Sequence, residues 1–273
     1  MTTVGFVGLG DQGAPIARAV AEGGFELHVW ARRPASLAVL EGVSVVAHES
    51  LTDLGACDIV ALCLREDPDA FEVAVDGGLL AAMRPGSVLV QHATGLPQRA
   101  RELAGHAARH GVEFVDAPVS GGHAAAVAKQ LTTIVGGVDT VVERCRPVFE
   151  TFSKQIVHMG QIGTGQFGKL FNNTLMMMNH KNVIDVLALA VDLELPLPRL
   201  LDVLRSGSAS STALMAFGPA ITMDNAEHLR TLELIDMDLF AGAVESLGDK
   251  AKEVVRQAVA GAEGLPELTR VIG

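Results

Sequence analysis

At 273 residues, 49% of them hydrophobic and 19% charged, the chain can bury one large core or two modest ones, and its composition excludes a disordered polymer. A formal net charge of -11 argues against nucleic acid as a partner, since phosphate binding needs a basic face, but a locally positive site could still take an anionic substrate. Cys57, Cys63 and Cys145 have neither disulfide-framework nor zinc spacing, and no run of about 18 apolar residues occurs, so a cytoplasmic protein without a membrane partner is expected.

Residues 3–7 (TVGFV) form a short apolar run that ends in Gly8-Leu9-Gly10-Asp11-Gln12-Gly13. The N-terminus lacks a basic leader and leads straight into this motif, so it reads as structure and not as a signal peptide. An alanine-rich helix follows to Gly23 and Gly24, then a second strand at 26–30 (ELHVW). Further strand-length runs at 43–46, 59–64, 87–90 and 113–115 alternate with helical stretches, notably 98–110. This alternation predicts a parallel sheet covered by helices. A strand at 131–135, a helix at 139–149 and a strand-like run at 155–159 lead to a turn-rich joint, GQIGTG, at 160–165. Beyond it the chain reads as one long helix to about residue 193, then as helices at 196–205, 212–221, 231–247 and 250–262. The expected fold is an α/β Rossmann-type domain (residues 1–160) joined by a long helix to an all-α domain (161–273).

A glycine triplet alone says little, but here it follows a strand and opens a helix within a strand-turn-helix-strand unit. Gly8 permits the tight turn, Gly10 lets backbone approach a diphosphate, and Gly13 lets helix and strand pack closely. Leu9, Asp11 and Gln12 complete the turn, and the helix N-terminus faces the phosphates. The second strand exits into Ala31-Arg32-Arg33-Pro34, where an NAD enzyme usually has an acidic residue for the ribose 2′-hydroxyl. Two guanidiniums there suit a 2′-phosphate, so the expected cofactor is NADP(H).

The stretch Asp116-Ala117-Pro118-Val119-Ser120-Gly121-Gly122 is the most specific in the chain. With the motif at 8–13 and the segment 160–173, it resembles the β-hydroxyacid dehydrogenases, whose members include 3-hydroxyisobutyrate dehydrogenases and the tartronate, glyoxylate and succinic semialdehyde reductases. The resemblance covers essentially the whole chain. It implies an NADP(H)-dependent oxidoreductase that interconverts a small hydroxy acid and its semialdehyde or keto acid, and an assembly into homodimers or homotetramers. Ser120, Gly121 and Gly122 would hold the carboxylate of a small anionic substrate, and consecutive glycines with a serine hydroxyl suit such an anion cradle. Lys169 would be the general acid or base, and Asn173, four residues on and so on the same helical face, would bond the substrate oxygen. A lysine works as a base near neutral pH only where its surroundings lower its pKa. Thr94 matches a family position near the nicotinamide. Leu64, Arg65 and Asp238 match positions along the cofactor.

Three departures bear on substrate. Met237 stands where the family has the lysine of a Lys-Asp pair, Thr212-Ala213 replaces a bulky aromatic near Ser211, and His123 follows the Ser-Gly-Gly stretch where small residues are common. Met237 is expected near the substrate, offering a thioether where the family offers a cation. The stripe Glu102, His106, His110 reads as an exposed helix face and no metal site is expected. Two other readings compete. An imine reductase-like enzyme is disfavoured by Lys169 and the intact Ser-Gly-Gly cradle, and a catalytically silent NADP-binding scaffold by the joint retention of Lys169, Asn173 and Ser120.

Overall fold

In a computed structural model, which describes residues 2–272, six strands lie parallel in the order β3-β2-β1-β4-β5-β6. They are β1 (Thr3–Val7), β2 (Glu26–Trp30), β3 (Val46–Ala47), β4 (Ile59–Leu62), β5 (Val88–Gln91) and β6 (Glu113–Asp116). Strands β7 (Val119–Ser120), β8 (Leu131–Gly136) and β9 (Ser153–Gly160) extend the sheet beyond β6; β8 runs antiparallel to β6 and β7, and β9 parallel to β8. This is the doubly wound order that reverses direction beside β1. The strands are continuous apolar runs because both faces are covered. On one face Ile16, Ala17 and Val20 of α1 (Gly13–Glu22) pack into the same core as Phe149 and Phe152. On the other, Leu54, Leu79, Leu80 and Leu103 form a second core. The helices of this part are completed by α2 (Asp67–Phe71), α3 (Leu79–Ala82), α4 (Pro97–Arg109), α5 (Gly122–Val127) and α6 (Asp139–Phe149).

The long helix α7 (Thr164–Asp192) is followed by α8 (Leu197–Ser206), α9 (Thr212–Met215), α10 (Ala226–Val244), α11 (Asp249–Glu263) and α12 (Leu265–Ile272). The chain forms two compact units, Met1–Lys169 and Leu170–Gly273, so the division lies inside α7, where 160 was expected. The helical unit is centred on Met177, Leu187, Leu201, Phe217, Met237 and Leu268.

Several elements differ from expectation for local reasons. The strand expected at 43–46 reduces to Val46–Ala47 at the sheet edge, where only His28 and Val29 offer partners. The helix expected at 212–221 stops at Met215, because Gly218 takes φ +95° and Pro219 disfavours helical backbone before it. Helix α10 starts five residues earlier than expected; Asn225 holds its entry by accepting from the Thr222 N–H at 2.8 Å and donating to the Ala220 carbonyl at 2.9 Å. Helix α12 was not anticipated, although Pro266 suits a first helical turn.

Two buried histidines make stability depend on pH. His92 lies edge-on to Phe149 and Phe152 and contacts the Ala117 carbonyl through Nδ1 at 2.8 Å. His180 is fully buried against Phe217. Burial pulls both imidazoles down from 6.5 to about 4. Their neutral forms therefore favour folding fully above pH 6.5, and that contribution is lost as pH falls from 6.5 towards 4. Asp116 acts oppositely: burial pushes it from 3.8 up to about 6, so its contribution is lost as pH rises across that interval. Asp67, whose carboxyl burial also pushes up, opposes the histidines in the same sense, but between pH 7 and pH 5 both imidazoles take up protons in the unfolded chain, so the histidines outweigh the aspartates. We predict that the unfolding temperature falls between pH 7 and pH 5 and that His180→Leu flattens the fall. A melting temperature that rises on acidification would overturn this.

Candidate active site

The turn after β1 tolerates only glycine at two of its positions. Gly8 has φ +100°, and a Cβ there would lie 2.2 Å from the Cys63 carbonyl oxygen. A Cβ on Gly13 would lie 1.8 Å from the Gly8 carbonyl oxygen, so a side chain would force α1 off the turn. At Gly10 the space is open: a Cβ would meet nothing within 4 Å. Bare backbone facing open space beside a helix N-terminus is what a dinucleotide diphosphate requires, so these residues fit a nicotinamide dinucleotide. Leu9 packs down onto the sheet core, Asp11 is exposed, and Gln12 precedes the first turn of α1.

The other expected cofactor residues of this unit follow strand ends: Arg32 and Arg33 after β2, Leu64 and Arg65 after β4, and Thr94 after β5. All lie at the carboxyl edge of the parallel sheet, where open α/β sheets bind ligands. Arg32 pairs with Glu72 at 3.0 Å, both side chains being more than half exposed. Arg65 is turned to its local acids, with Glu66 at 3.1 Å.

Ser120 ends β7, and Gly121 (φ +130°) and Gly122 (φ +69°) turn the chain into α5. His123, a departure in the sequence, places Nδ1 2.6 Å from the Asp11 carbonyl oxygen. It thereby links the Ser-Gly-Gly turn to the glycine turn after β1. A cleft of about 370 Å³ lies beside this link, lined by Gly10, Asp11, Ala14, Arg18, His123 and Val127 among others. The cleft reaches neither Ser120 nor Lys169.

Lys169 and Asn173 stand one turn apart on α7, with 9% and 4% of their surface exposed. Within the helical unit, Nδ2 of Asn173 donates to Asp236 of α10, and its Oδ1 accepts from Nδ2 of Asn172 at 3.0 Å. Asp236 was not anticipated. Asp238, which was, lies two residues on, about 200° around the helix, and is exposed; α10 therefore presents Asp236 to Asn173 and Asp238 elsewhere.

Met237 differs from expectation. It is fully buried and packs in the helical core with Met177, Leu187, Leu201 and Phe217, so it fills space among apolar side chains and does not face a substrate. Ala213 is likewise core. Sequence reasoning also passed over a set of buried polar residues in the first unit. Asp67 accepts from Gln91 Nε2 at 3.0 Å and from the Leu96 N–H at 2.8 Å, and burial pushes its carboxyl up. Asp116 and Gln166 are fully buried. Polar residues at the ends of apolar runs, such as Gln91 after VLV, were the available signal. Among the described residues no group of three or more histidine, cysteine, aspartate or glutamate side chains could hold a metal ion.

Residues 3–160 match the family model of the NAD-binding domain of 6-phosphogluconate dehydrogenase, and 163–263 that of the NAD-binding region of NADP-dependent 3-hydroxyisobutyrate dehydrogenase. The chain is similar to an NAD-dependent L-serine dehydrogenase of Pseudomonas aeruginosa, 33% identical over 221 residues, covering 80% of this chain and 74% of that protein. It is 30% identical over 215 residues to a 2-(hydroxymethyl)glutarate dehydrogenase of Eubacterium barkeri, covering 78% and 71% of the two chains. Its fold matches the structure of Mycobacterium tuberculosis 3-hydroxyisobutyrate dehydrogenase with L-serine at a TM-score of 0.83 and 26% identity, covering 100% of this chain and 98% of that one. Sheet order, glycine turn and these matches lead to one conclusion: the chain belongs to the β-hydroxyacid dehydrogenase family, hydroxy-acid oxidoreductases that use a nicotinamide dinucleotide.

Proposed function

We propose that the chain is an NADP(H)-preferring dehydrogenase of small 3-hydroxy acids, with Lys169 as the proton-transfer group. The observation that carries this reading is the placement of Lys169, nearly buried, on a helix whose start is fastened to the strand end leading to Ser120. L-serine, 3-hydroxyisobutyrate and 2-(hydroxymethyl)glutarate, named for similar proteins, share one feature: a hydroxymethyl group on the carbon that bears the carboxylate. Such a substrate needs an anion cradle two carbons from a proton acceptor. Ser120, Gly121 and Gly122 bind the carboxylate through the hydroxyl and backbone N–H groups. Lys169 takes the proton of the primary hydroxyl on oxidation and returns it to the nascent alkoxide on reduction. Asn173 uses its second Nδ2 hydrogen, the first being held by Asp236, to orient the substrate oxygen. A bound nicotinamide supplies the hydride exchange. Residues 8–13 hold its diphosphate, and Arg32 and Arg33 a 2′-phosphate. The three cysteines are free, and a reducing cytoplasm is the proposed compartment. No helix among the described residues is long and apolar enough to cross a membrane.

The test is a panel of hydroxymethyl acids against secondary-alcohol acids such as lactate, with each nicotinamide cofactor. Turnover is expected with the hydroxymethyl acids, and selective turnover of the secondary alcohols would sink the reading. Assembly is part of the proposal. Helix α7 leaves Leu175, Val186, Leu189 and Val191 between 47% and 64% exposed, more apolar surface than a single chain usually leaves to water. A homodimer or homotetramer is expected by light scattering at micromolar concentration, and a monomer there would defeat this part.

A further inference from the structure

We propose that Asp116 is a positioning residue for Lys169, fastening the start of α7 to the strand ends that carry Ser120 and Thr94. The proposal rests on the reading of Lys169 as the proton-transfer group. Asp116 is the last residue of β6, four before Ser120, and none of its surface is exposed. Its Oδ1 accepts from the Gly163 N–H at 2.7 Å and its Oδ2 from the Gln166 N–H at 2.9 Å. The first N–H groups of a helix have no partner within it, so a carboxylate here both satisfies them and fixes where the helix begins. Gln166 then carries the link onward. Its Nε2 donates to the Ala93 carbonyl at 2.8 Å and its Oε1 accepts from the Gly95 N–H at 2.9 Å, gripping the backbone on both sides of Thr94.

The backbone is built around this carboxylate. A Cβ on Gly165 would lie 2.7 Å from the Asp116 carbonyl oxygen and 2.8 Å from Oδ2; one on Gly136 would lie 2.6 Å from Oδ1. Any other residue at either position would push the helix start or β8 away. Lys169 is three residues beyond Gln166, within one turn of the anchor, so a shift of the helix start moves the ammonium almost as far. Near-attack geometry is unforgiving: a displacement of about 1 Å can cost on the order of a hundredfold in rate.

The experiment is a set of variants assayed with the hydroxymethyl acid that the parent turns over, with NADPH affinity measured separately by fluorescence. Asp116→Ala is expected to lower kcat roughly ten- to a hundredfold with little change in KM or NADPH affinity. Asp116→Asn keeps one acceptor oxygen but sets its Nδ2 against the other N–H, so it should recover only part of the loss. Gln166→Met keeps the volume but removes the grip around Thr94, and should lower kcat by a smaller factor in the same direction. If Asp116→Ala does not fold, Asp116→Asn and Gln166→Met decide alone. The discriminating measurement is a cycle with Lys169→Ala. If Asp116 acts through Lys169, its substitution costs kcat in the parent and nothing further in the Lys169→Ala background. An equal fold-loss in both backgrounds, an effect confined to KM, or unchanged kcat in all the milder variants overturns the proposal. Retained activity in Lys169→Ala itself instead refutes the catalytic reading, so the two failures are told apart.

Discussion

Lys169→Ala should lower kcat by about 10²–10⁴-fold, the range typical of a general acid or base, while NADPH binds as in the parent. The lysine sits on α7 and is not part of the glycine turn proposed for the diphosphate, and its 9% exposure means that no bulk water replaces it freely as a proton carrier. Lys169→Arg separates charge from proton transfer. Arginine keeps the cation but cannot release its proton in the accessible pH range, so it too should be nearly inactive. Steady-state kcat with a hydroxymethyl acid, beside NADPH binding, reads both variants. Alanine activity within a few fold of the parent would remove Lys169 from the mechanism. Arginine activity close to the parent would reduce its role to electrostatics.

Arg33→Asp should lower the preference for NADPH over NADH by about ten- to a hundredfold in kcat/KM. Losing one charged hydrogen bond costs about 1.5–3 kcal/mol, and each 1.4 kcal/mol is a factor of ten. The introduced carboxylate would also repel a 2′-phosphate and offer an acceptor to the ribose 2′-hydroxyl. Arg32 is the weaker lever, because it is already paired with Glu72. That exposed pair is worth at most about 1 kcal/mol, so a phosphate can still recruit Arg32. Equal kcat/KM for the two cofactors in the parent would refute the role given to both arginines.

How far the chain could be read without its structure depends on the range of the signal. The glycine turn was legible because its cause is local. Gly8, Gly10 and Gly13 serve one turn, and the strand and helix flanking it announce themselves by hydrophobic pattern within 30 residues. The same holds for Lys169 and Asn173, whose shared face follows from helical spacing alone. The position of Arg32 followed from a strand end that could be counted, while Leu64 and Thr94 came from family resemblance.

The failures concern relations across the fold. Met237 read as a residue facing substrate, because alignment to a motif says which position it is and not which way its helix is turned. Packing α10 on α11 and α12 turns position 237 into the core and brings Asp236 to Asn173, two residues from the aspartate the motif singled out. Asp116 is 47 residues from Gly163, and Gln166 is 73 from Ala93; no periodicity connects them. The sequence by itself determined the fold class and the cofactor class and singled out the residues proposed for the chemistry, since each is written in short-range pattern and side-chain type. Only the tertiary structure decided which buried polar groups hold those residues in place. A buried carboxylate must find its donors wherever the fold brings them, and here they came from the first turn of a helix that begins almost fifty residues later.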